Sequence, residues 1–212
     1  MELRNEIREA YIDYKYLLNR NYSRKLALDI VTARYNLSKL ERLLLYRCVH
    51  SNSEIENINS KISNQKEIII DGYNIALTLI SAMNGEEIYL CDDGFIRDLG
   101  LGKYKNSDLV KDALQLIIEY CEMLNLTCEI VLDSQISKSG YIASELRRKN
   151  IMARTVNKAD KEIIMSSKVI YSNDFLILYK SQKITNLLNK IFIENSYKIL
   201  KGPWIDNMKE KL

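Results

Sequence analysis

The sequence is poor in the features that mark several large classes of protein. Of its 212 residues one is proline and seven are glycine, which argues against collagen-like and low-complexity chains. The longest apolar runs, such as Ile68-Ile69-Ile70, fall far below the ~18–20 residues of a membrane-spanning helix. The charged start of the chain lacks the apolar core of a signal peptide. We therefore expect a cytoplasmic globular protein with no membrane association.

Histidine and paired cysteines are scarce as well. His50 is the only histidine, so the sequence offers no His-based zinc site and disfavours Ser-His-Asp catalysis. The four cysteines form no Cys-x-x-Cys pair, and we expect buried, reduced thiols. Neither Gly-x-Gly-x-x-Gly nor Gly-x-x-x-x-Gly-Lys-[Ser/Thr] occurs, which leaves dinucleotide-binding and P-loop sites unsupported.

The charge is distributed unevenly along the chain. Residues 1–50 carry ten lysines and arginines against six aspartates and glutamates, a net charge of +4, whereas the rest of the chain carries −1. A basic head on a near-neutral body fits the binding of a polyanion, and it fits a solvated helical surface equally well.

Hydrophobic spacing divides the chain into three parts. Residues 1–50 predict three helices, the last of them opened by Ser38-Lys39-Leu40-Glu41, which has the form of a capping box. Residues 51–66 form a polar connector whose isoleucines keep a helix-like spacing. Residues 67–212 alternate short β-rich runs with amphipathic helices, with strands predicted at 67–70, 87–91, 128–132, 154–156 and 168–171. This alternation predicts an α/β fold, a parallel sheet with helices on both faces, preceded by a small all-α domain.

Acidic residues follow the predicted strands, where ligands bind in open parallel sheets. They are Asp71, Asp92 and Asp93, Asp133, Asp160, and Asp174. Carboxylates brought together in this way repel one another unless a proton or a cation neutralises them. Oxygen ligands without cysteine or histidine suit Mg²⁺ or Mn²⁺, and either ion can activate a water for attack on a phosphate. Each aspartate taken alone also fits a turn or a helix cap.

Four short motifs occur in the order seen in one group of nucleases. Residues 68–74, Ile-Ile-Ile-Asp-Gly-Tyr-Asn, resemble the opening D-G-Y-N signature of NYN domains, a branch of the PIN-like superfamily of metal-dependent nucleases. Residues 131–133 are similar to the hydrophobic-hydrophobic-Asp that ends a later strand of that group. Residues 159–163 resemble its A-D-x-x-I helix start, and residues 171–174 resemble its final strand ending in T/S-x-D.

The N-terminal part carries a second resemblance. Residues 17–22, 33–35 and 41–47 make the whole chain similar to an uncharacterised archaeal family in which a helical domain of unknown function precedes a PIN-like domain. This resemblance implies no activity for residues 1–50.

Carried over residue by residue, the PIN-like resemblance implies a set of site residues. It implies catalytic roles for Asp71, Asp133, Asp160 and Asp174, as metal ligands directly or through water. Asn74 would orient the first carboxylate or contact substrate. The loop after the second strand departs from the pattern, with Asp93 or Asp98 as an extra metal ligand. Arg97 is open between a phosphate contact and a salt bridge to a neighbouring aspartate.

Basic residues that follow the later strands, Lys138 and Lys158 among them, are expected to contact the phosphates of a substrate. We expect a metal-dependent nuclease that uses Mg²⁺ or Mn²⁺ and acts on RNA, the commoner substrate in the resembled group. The basic N-terminal domain would hold RNA, a ribonucleoprotein or a protein partner, and self-association is left open. The alternatives are an inactive PIN-like RNA-binding or assembly protein and, third, the toxin of a toxin–antitoxin pair.

Overall fold

A computed structural model of the chain describes residues 4–100, 104 and 107–205. It divides into two compact units, and neither is continuous in sequence. The first comprises Met1–Ser60, Glu87–Leu99 and Lys198–Leu212, and the second comprises Lys61–Glu86 and Gly100–Tyr197.

The helices and strands follow in chain order. The helices are α1 (Glu6–Asn19), α2 (Arg24–Tyr35), α3 (Lys39–Cys48), α4 (Asn52–Asn59), α5 (Gly72–Met83), α6 (Leu109–Met123), α7 (Ser139–Arg148), α8 (Ala159–Ile164), α9 (Phe175–Lys180) and α10 (Leu187–Glu194). The strands are β1 (Glu67–Asp71), β2 (Ile88–Leu90), β3 (Ile96–Asp98), β4 (Thr127–Asp133), β5 (Ala153–Val156), β6 (Val169–Tyr171) and β7 (Ile199–Lys201).

The second unit is built on a four-stranded sheet with the order β5-β4-β1-β6, in which every neighbouring pair is parallel. Ile68, Ile69 and Ile70 are consecutive on β1 and all are buried. Because successive side chains of a strand point to opposite faces, both faces of this sheet are covered. The α/β class expected for this part of the chain is confirmed in this form.

The first unit combines α1–α4 with a small sheet of order β3-β2-β7. Ser23 and Ser38 accept hydrogen bonds from the first turns of α2 and α3, and Ser38 forms the predicted capping box with Glu41. The polar connector contains α4, which has its own capping box from Ser51 and Glu54.

The division of the chain differs from the one based on sequence, with breaks at 1–50, 51–66 and 67–212. The run 87–91 was placed in the parallel sheet, but β2 pairs with β3 and β7 in the first unit. The reason is hydrophobic: Tyr89, Cys91 and Trp204 are buried in the same core as Tyr14 and Leu44 of the helices. Strands β3 and β7 were not predicted.

Two smaller expectations concern the thiols and membrane association. All four cysteines are free and buried, as predicted. Within the described residues, no helix has the length and apolarity needed to cross a membrane.

Candidate functional site

The order of the parallel strands indicates where a ligand would be expected to bind. From β1 the chain continues to β4 and β5 on one side, and then returns to β6 on the other side of β1. Ligands of open α/β sheets bind at the carboxyl ends of the strands, at the point where the strand order reverses. Here that point lies between the ends of β1 and β6, at Asp71 and Ser172.

Helix α5 begins directly after Asp71, without a turn. Gly72 allows this: a Cβ atom there would lie 2.6 Å from Leu132 Cδ2 and 3.0 Å from the backbone oxygen of Val131. The glycine therefore lets the start of α5 pack against β4. The Asp-Gly pair marks a close approach between helix and strand rather than the turn that it could also indicate.

Asp71 occupies the N-cap position of α5, but its side chain makes no capping hydrogen bond. Instead its Oδ2 accepts hydrogen bonds of 2.6 Å from Asn74 Nδ2 and 2.6 Å from the Ser172 hydroxyl. Among the described residues, none donates to Oδ1. Only 4% of Asp71 is exposed. Burial raises the pKa of its carboxyl group to about 6 against the lowering effect of both hydrogen bonds, and the charges of Asp174 and Asp160 raise it further.

Asp174 and Asp133 also use one carboxylate oxygen each. Asp174 Oδ1 accepts from the backbone amides of Leu176 and Ile177 and so caps α9. Asp133 Oδ1 accepts from the amide of Gln135 at 2.8 Å. The second oxygen of each accepts no hydrogen bond from the described residues. The turn and helix-cap roles that the sequence allows for these aspartates are therefore present in the structure. Each aspartate keeps its second oxygen available to a ligand.

Asp160 belongs to the same electrostatic group. It lies at the second position of α8, and the residue as a whole is exposed. Partial burial of its carboxyl group, followed by the charges of Asp174 and Asp133, raises its pKa. Asp174 therefore lies within electrostatic reach of both Asp71 and Asp160, and Asp133 lies within reach of Asp160.

Sequence reasoning named Asn74 but missed the hydroxyl groups that support it. Asn173 Nδ2 donates to the Thr78 hydroxyl at 2.6 Å, and that hydroxyl donates to the backbone oxygen of Asn74. Ser172 was part of a recognised motif, but nothing in the sequence showed that its hydroxyl faces Asp71. These contacts fix the orientation of the Asp71 carboxylate.

The two predicted lysines lie at the starts of helices that follow β4 and β5, after the carboxyl ends of these parallel strands. Lys138 precedes α7 and Lys158 precedes α8, both with left-handed backbone conformations, at φ 66° and 64°. Lys138 Nζ lies 3.6 Å from Asp108 Oδ1 in an exposed ion pair. Lys158 is exposed and makes no ion pair with another described residue.

Asp93, Asp98 and Arg97 lie in the first unit, whereas the four aspartates lie in the second. Arg97 donates to both oxygens of Asp93, at 2.9 and 2.5 Å, and both side chains are almost completely buried. Asp98 Oδ1 lies 3.8 Å from Arg47. Of the two alternatives for Arg97, the structure contains the salt bridge. The sequence assigns the strand before these residues to the parallel sheet, whereas in the structure that strand belongs to the small sheet of the first unit.

Neighbouring charges in the first unit are also paired. Asp92 accepts from His50 Nδ1 at 2.7 Å and from Lys15 Nζ at 2.8 Å. His50 is fully buried, and burial lowers its pKa well below the ordinary value. These contacts join the hairpin of β2 and β3 to the helices, so the acidic loop 92–94 has a structural function.

The donor atoms of the site suit a hard divalent cation. Among the described residues, no three His, Cys, Asp or Glu side chains form a ready-made metal site. Mg²⁺ is commonly held by one or two carboxylates while it keeps several waters. Asp71, Asp133 and Asp174 each have one oxygen that accepts no hydrogen bond from the described residues, and these oxygens are donors of that kind.

Comparison with known proteins gives a family but no activity. Residues 60–190 match a family described as a domain of unknown function, DUF5616, and residues 6–61 match a protein family of unknown function, DUF434. An uncharacterised protein of Methanocaldococcus jannaschii is 34% identical over 198 residues, which cover 87% of this chain and 94% of the relative. No solved structure matches the chain. The chain therefore belongs to the DUF5616 family and carries a DUF434 region before that domain.

Proposed function

We propose that the protein is a metal-dependent ribonuclease with a PIN-like domain, whose site is formed by Asp71, Asp133, Asp160 and Asp174. One observation carries the proposal. Three of these aspartates end or follow parallel strands, and each uses one oxygen for local structure while the other accepts no hydrogen bond from the described residues. A buried carboxyl group with a raised pKa among other carboxylates is typical of functional sites.

Each residue has a role that its contacts support. Asn74 and Ser172 donate hydrogen bonds to Oδ2 of Asp71, which fixes the orientation of the carboxylate and leaves Oδ1 to act as a metal ligand. A bound Mg²⁺ or Mn²⁺ would neutralise the carboxylates, lower the pKa of a water and offset the charge that develops on a phosphate. Lys158, exposed and without an ion pair among the described residues, is suited to contact a phosphate of RNA, and Lys138 could do so by leaving Asp108.

The proposal is tested with two variants that remove charge and keep local structure. In Asp71→Asn the amide oxygen can still accept from Asn74 and Ser172, and in Asp174→Asn it can still cap α9. Labelled single-stranded and structured RNAs are incubated with Mn²⁺, Mg²⁺ or EDTA. We expect metal-dependent cleavage by the wild type and by Asp112→Asn, an exposed control on α6, and at least a 100-fold loss in both site variants, within the range for removal of an essential catalytic group.

A second candidate function is a PIN-like protein that binds RNA without cleaving it. The absence of a ready-made three-ligand metal site among the described residues favours it. It predicts RNA binding that is unaffected by Mn²⁺ and by Asp71→Asn, with no cleavage from folded protein. The melting temperature separates the two candidates: a metal site predicts that Mn²⁺ raises it for the wild type but not for Asp71→Asn.

A further inference from the structure

A groove lies between α2 and α3 of the first unit, and none of the four aspartates of the proposed site lines it. Its volume is about 490 Å³, which is within the range of pockets for small ligands. Six residues line it: Lys25, Leu28, Lys39, Arg42, Leu43 and Tyr46. Half of them are cationic and the others are apolar or aromatic.

The apolar part of the groove offers a surface for a flat ring. Leu28 is buried and Leu43 is half-buried, whereas Tyr46 is 49% exposed. The guanidinium group of Arg24 lies 5.9 Å from the centre of the Tyr46 ring and donates to the backbone oxygen of that residue. The ring is therefore held in position while about half of the residue faces solvent.

The cations of the groove differ in how far they are neutralised. Arg42 donates to Asp29 at 2.6 Å and to the Thr32 hydroxyl at 2.9 Å, so it is held by the α2 helix. Lys25 and Lys39 are exposed and form no ion pair with another described residue. These two ammonium groups give the groove a positive charge that a bound anion would neutralise.

We propose that this groove binds a nucleotide of single-stranded RNA, with the base against Leu28, Leu43 and Tyr46 and the phosphates beside Lys25 and Lys39. Aromatic and apolar surface flanked by cations is the combination that binds single strands without sequence preference. A protein partner would need about 800 Å² of surface, far more than six residues supply. The proposal does not depend on nuclease activity, because binding and cleavage involve different residues.

The charge part is tested by the salt dependence of binding to a fluorescent 12-nucleotide single-stranded RNA in EDTA. Each phosphate contact contributes about 0.7 to the slope of log K against log salt for single strands. We expect the double variant K25Q/K39Q to bind more weakly, with a slope smaller by about 1.4. The matched control K180Q/K190Q, on α9 and α10, removes the same charge and should retain the slope of the wild type.

The stacking part is tested at Tyr46. Replacement of a stacking aromatic by alanine weakens binding of single strands by about tenfold or more, so we expect that loss for Tyr46→Ala and near wild-type affinity for Tyr46→Phe. Because Tyr46 is half exposed, the variant should remain folded, which circular dichroism checks. Photo-crosslinking of RNA that contains 4-thiouridine should label the peptide that includes Tyr46.

Several results would overturn the proposal. It is wrong if the wild type does not bind the RNA or if the groove variants bind like the wild type. It is also wrong if the groove binds an acidic peptide and does not bind the RNA. AMP that binds as tightly as the 12-mer would identify a free-nucleotide site instead. Binding that requires Mn²⁺ and is lost in Asp71→Asn but not in the groove variants would place RNA at the acidic residues alone. Groove-dependent binding without cleavage would reject the nuclease and keep the groove.

Discussion

Two buried aspartates illustrate how the same residue type serves opposite purposes. Asp93 is neutralised by a two-pronged contact with Arg97, whereas Asp71 receives hydrogen bonds from neutral groups only and lies among other carboxylates. A paired charge is destabilising to break, and an unpaired buried charge is destabilising to keep. The substitution of aspartate by asparagine should therefore have opposite effects at the two positions.

For Asp71→Asn we expect a gain in stability at pH 8. The folded protein has a pKa of about 6 at Asp71, against ~3.9 in an unfolded chain. The folded state thus binds this proton more tightly, and its stability falls as the pH rises from about 4 through 6. The difference corresponds to about 3 kcal/mol above pH 7, which the neutral asparagine avoids. Urea unfolding in EDTA at pH 8 and pH 4 measures it.

The gain should disappear at pH 4, where Asp71 is protonated in the folded state and about half protonated in the unfolded chain. Asp112→Asn, an exposed substitution, should change the free energy of unfolding by less than about 0.5 kcal/mol at either pH. A loss of stability for Asp71→Asn at pH 8 would mean that the carboxylate has a structural role, and it would remove the main support for the acidic site.

For Asp93→Asn we expect a loss of about 3–5 kcal/mol in the free energy of unfolding, because the variant removes the charged partner of the bidentate contact that Arg97 makes in the buried core. Urea unfolding at pH 7 with circular dichroism tests this. An unchanged stability, combined with lost metal-dependent cleavage, would instead return Asp93 to the set of metal ligands.

For single residues, the sequence could predict which aspartates follow strands, but not which of them are neutralised by a basic side chain. Asp71, Asp133 and Asp174 were found because hydrophobic runs that end in a carboxylate are visible in one dimension. Arg97, the partner of Asp93, is only four residues away. The sequence still could not decide whether Arg97 contacts a phosphate or forms a salt bridge, because the hairpin that brings the two side chains together was not predicted. The Ser172 contact with Asp71 joins residues 101 positions apart, a distance that no local pattern encodes.

The start of α5 shows how an element depends on one small residue. Gly72→Ala would bring a Cβ within 3.0 Å of the Val131 backbone oxygen, which cannot move as freely as the Leu132 side chain. We expect a loss of about 1–3 kcal/mol from this overpacking, and weaker Mn²⁺ binding because Asp71 is adjacent. Thermal unfolding and metal titration of the variant measure both effects.

Gly140→Ala provides the matched control. Gly140 is in helix α7, and a Cβ there would meet nothing within 4 Å. Alanine has the higher helix propensity, so this variant should be neutral or more stable by up to about 1 kcal/mol. If both variants behaved alike, the close approach of α5 to β4 would not be what requires Gly72.

The strands of the parallel sheet could be predicted and the small sheet could not. β1, β4 and β6 are short runs of buried aliphatic residues separated by amphipathic helices, a pattern typical of parallel sheets. β2 is also a short run of buried residues, including Ile88 and Tyr89. Its local pattern therefore predicted a strand of the parallel sheet. Its partners read Ile-Arg-Asp in β3 and Ile-Leu-Lys in β7, so neither has the uninterrupted apolar run that identifies a buried strand.

At the scale of the whole molecule, family boundaries and structural boundaries do not coincide. The DUF434 match ends at residue 61 and the DUF5616 match begins at residue 60. The first compact unit nevertheless takes residues 87–99 from within the DUF5616 match and residues 198–212 from beyond it. A linear sequence pattern reveals the change in composition near residue 60, but not the segments that return to complete the first core.

The interleaving predicts that the N-terminal region does not fold alone. A fragment of residues 1–60 lacks Tyr89 and Trp204, and Trp204 is fully buried with its indole NH donating to Leu90 at 2.7 Å. It also leaves His50 and Lys15 without the Asp92 carboxylate.

We expect the fragment to show no cooperative thermal transition by circular dichroism, whereas the full chain shows one. In the full chain Trp204→Ala should cost about 3–5 kcal/mol. A cooperative transition of the fragment would mean that the helices form an independent domain and that the hairpin only docks on it.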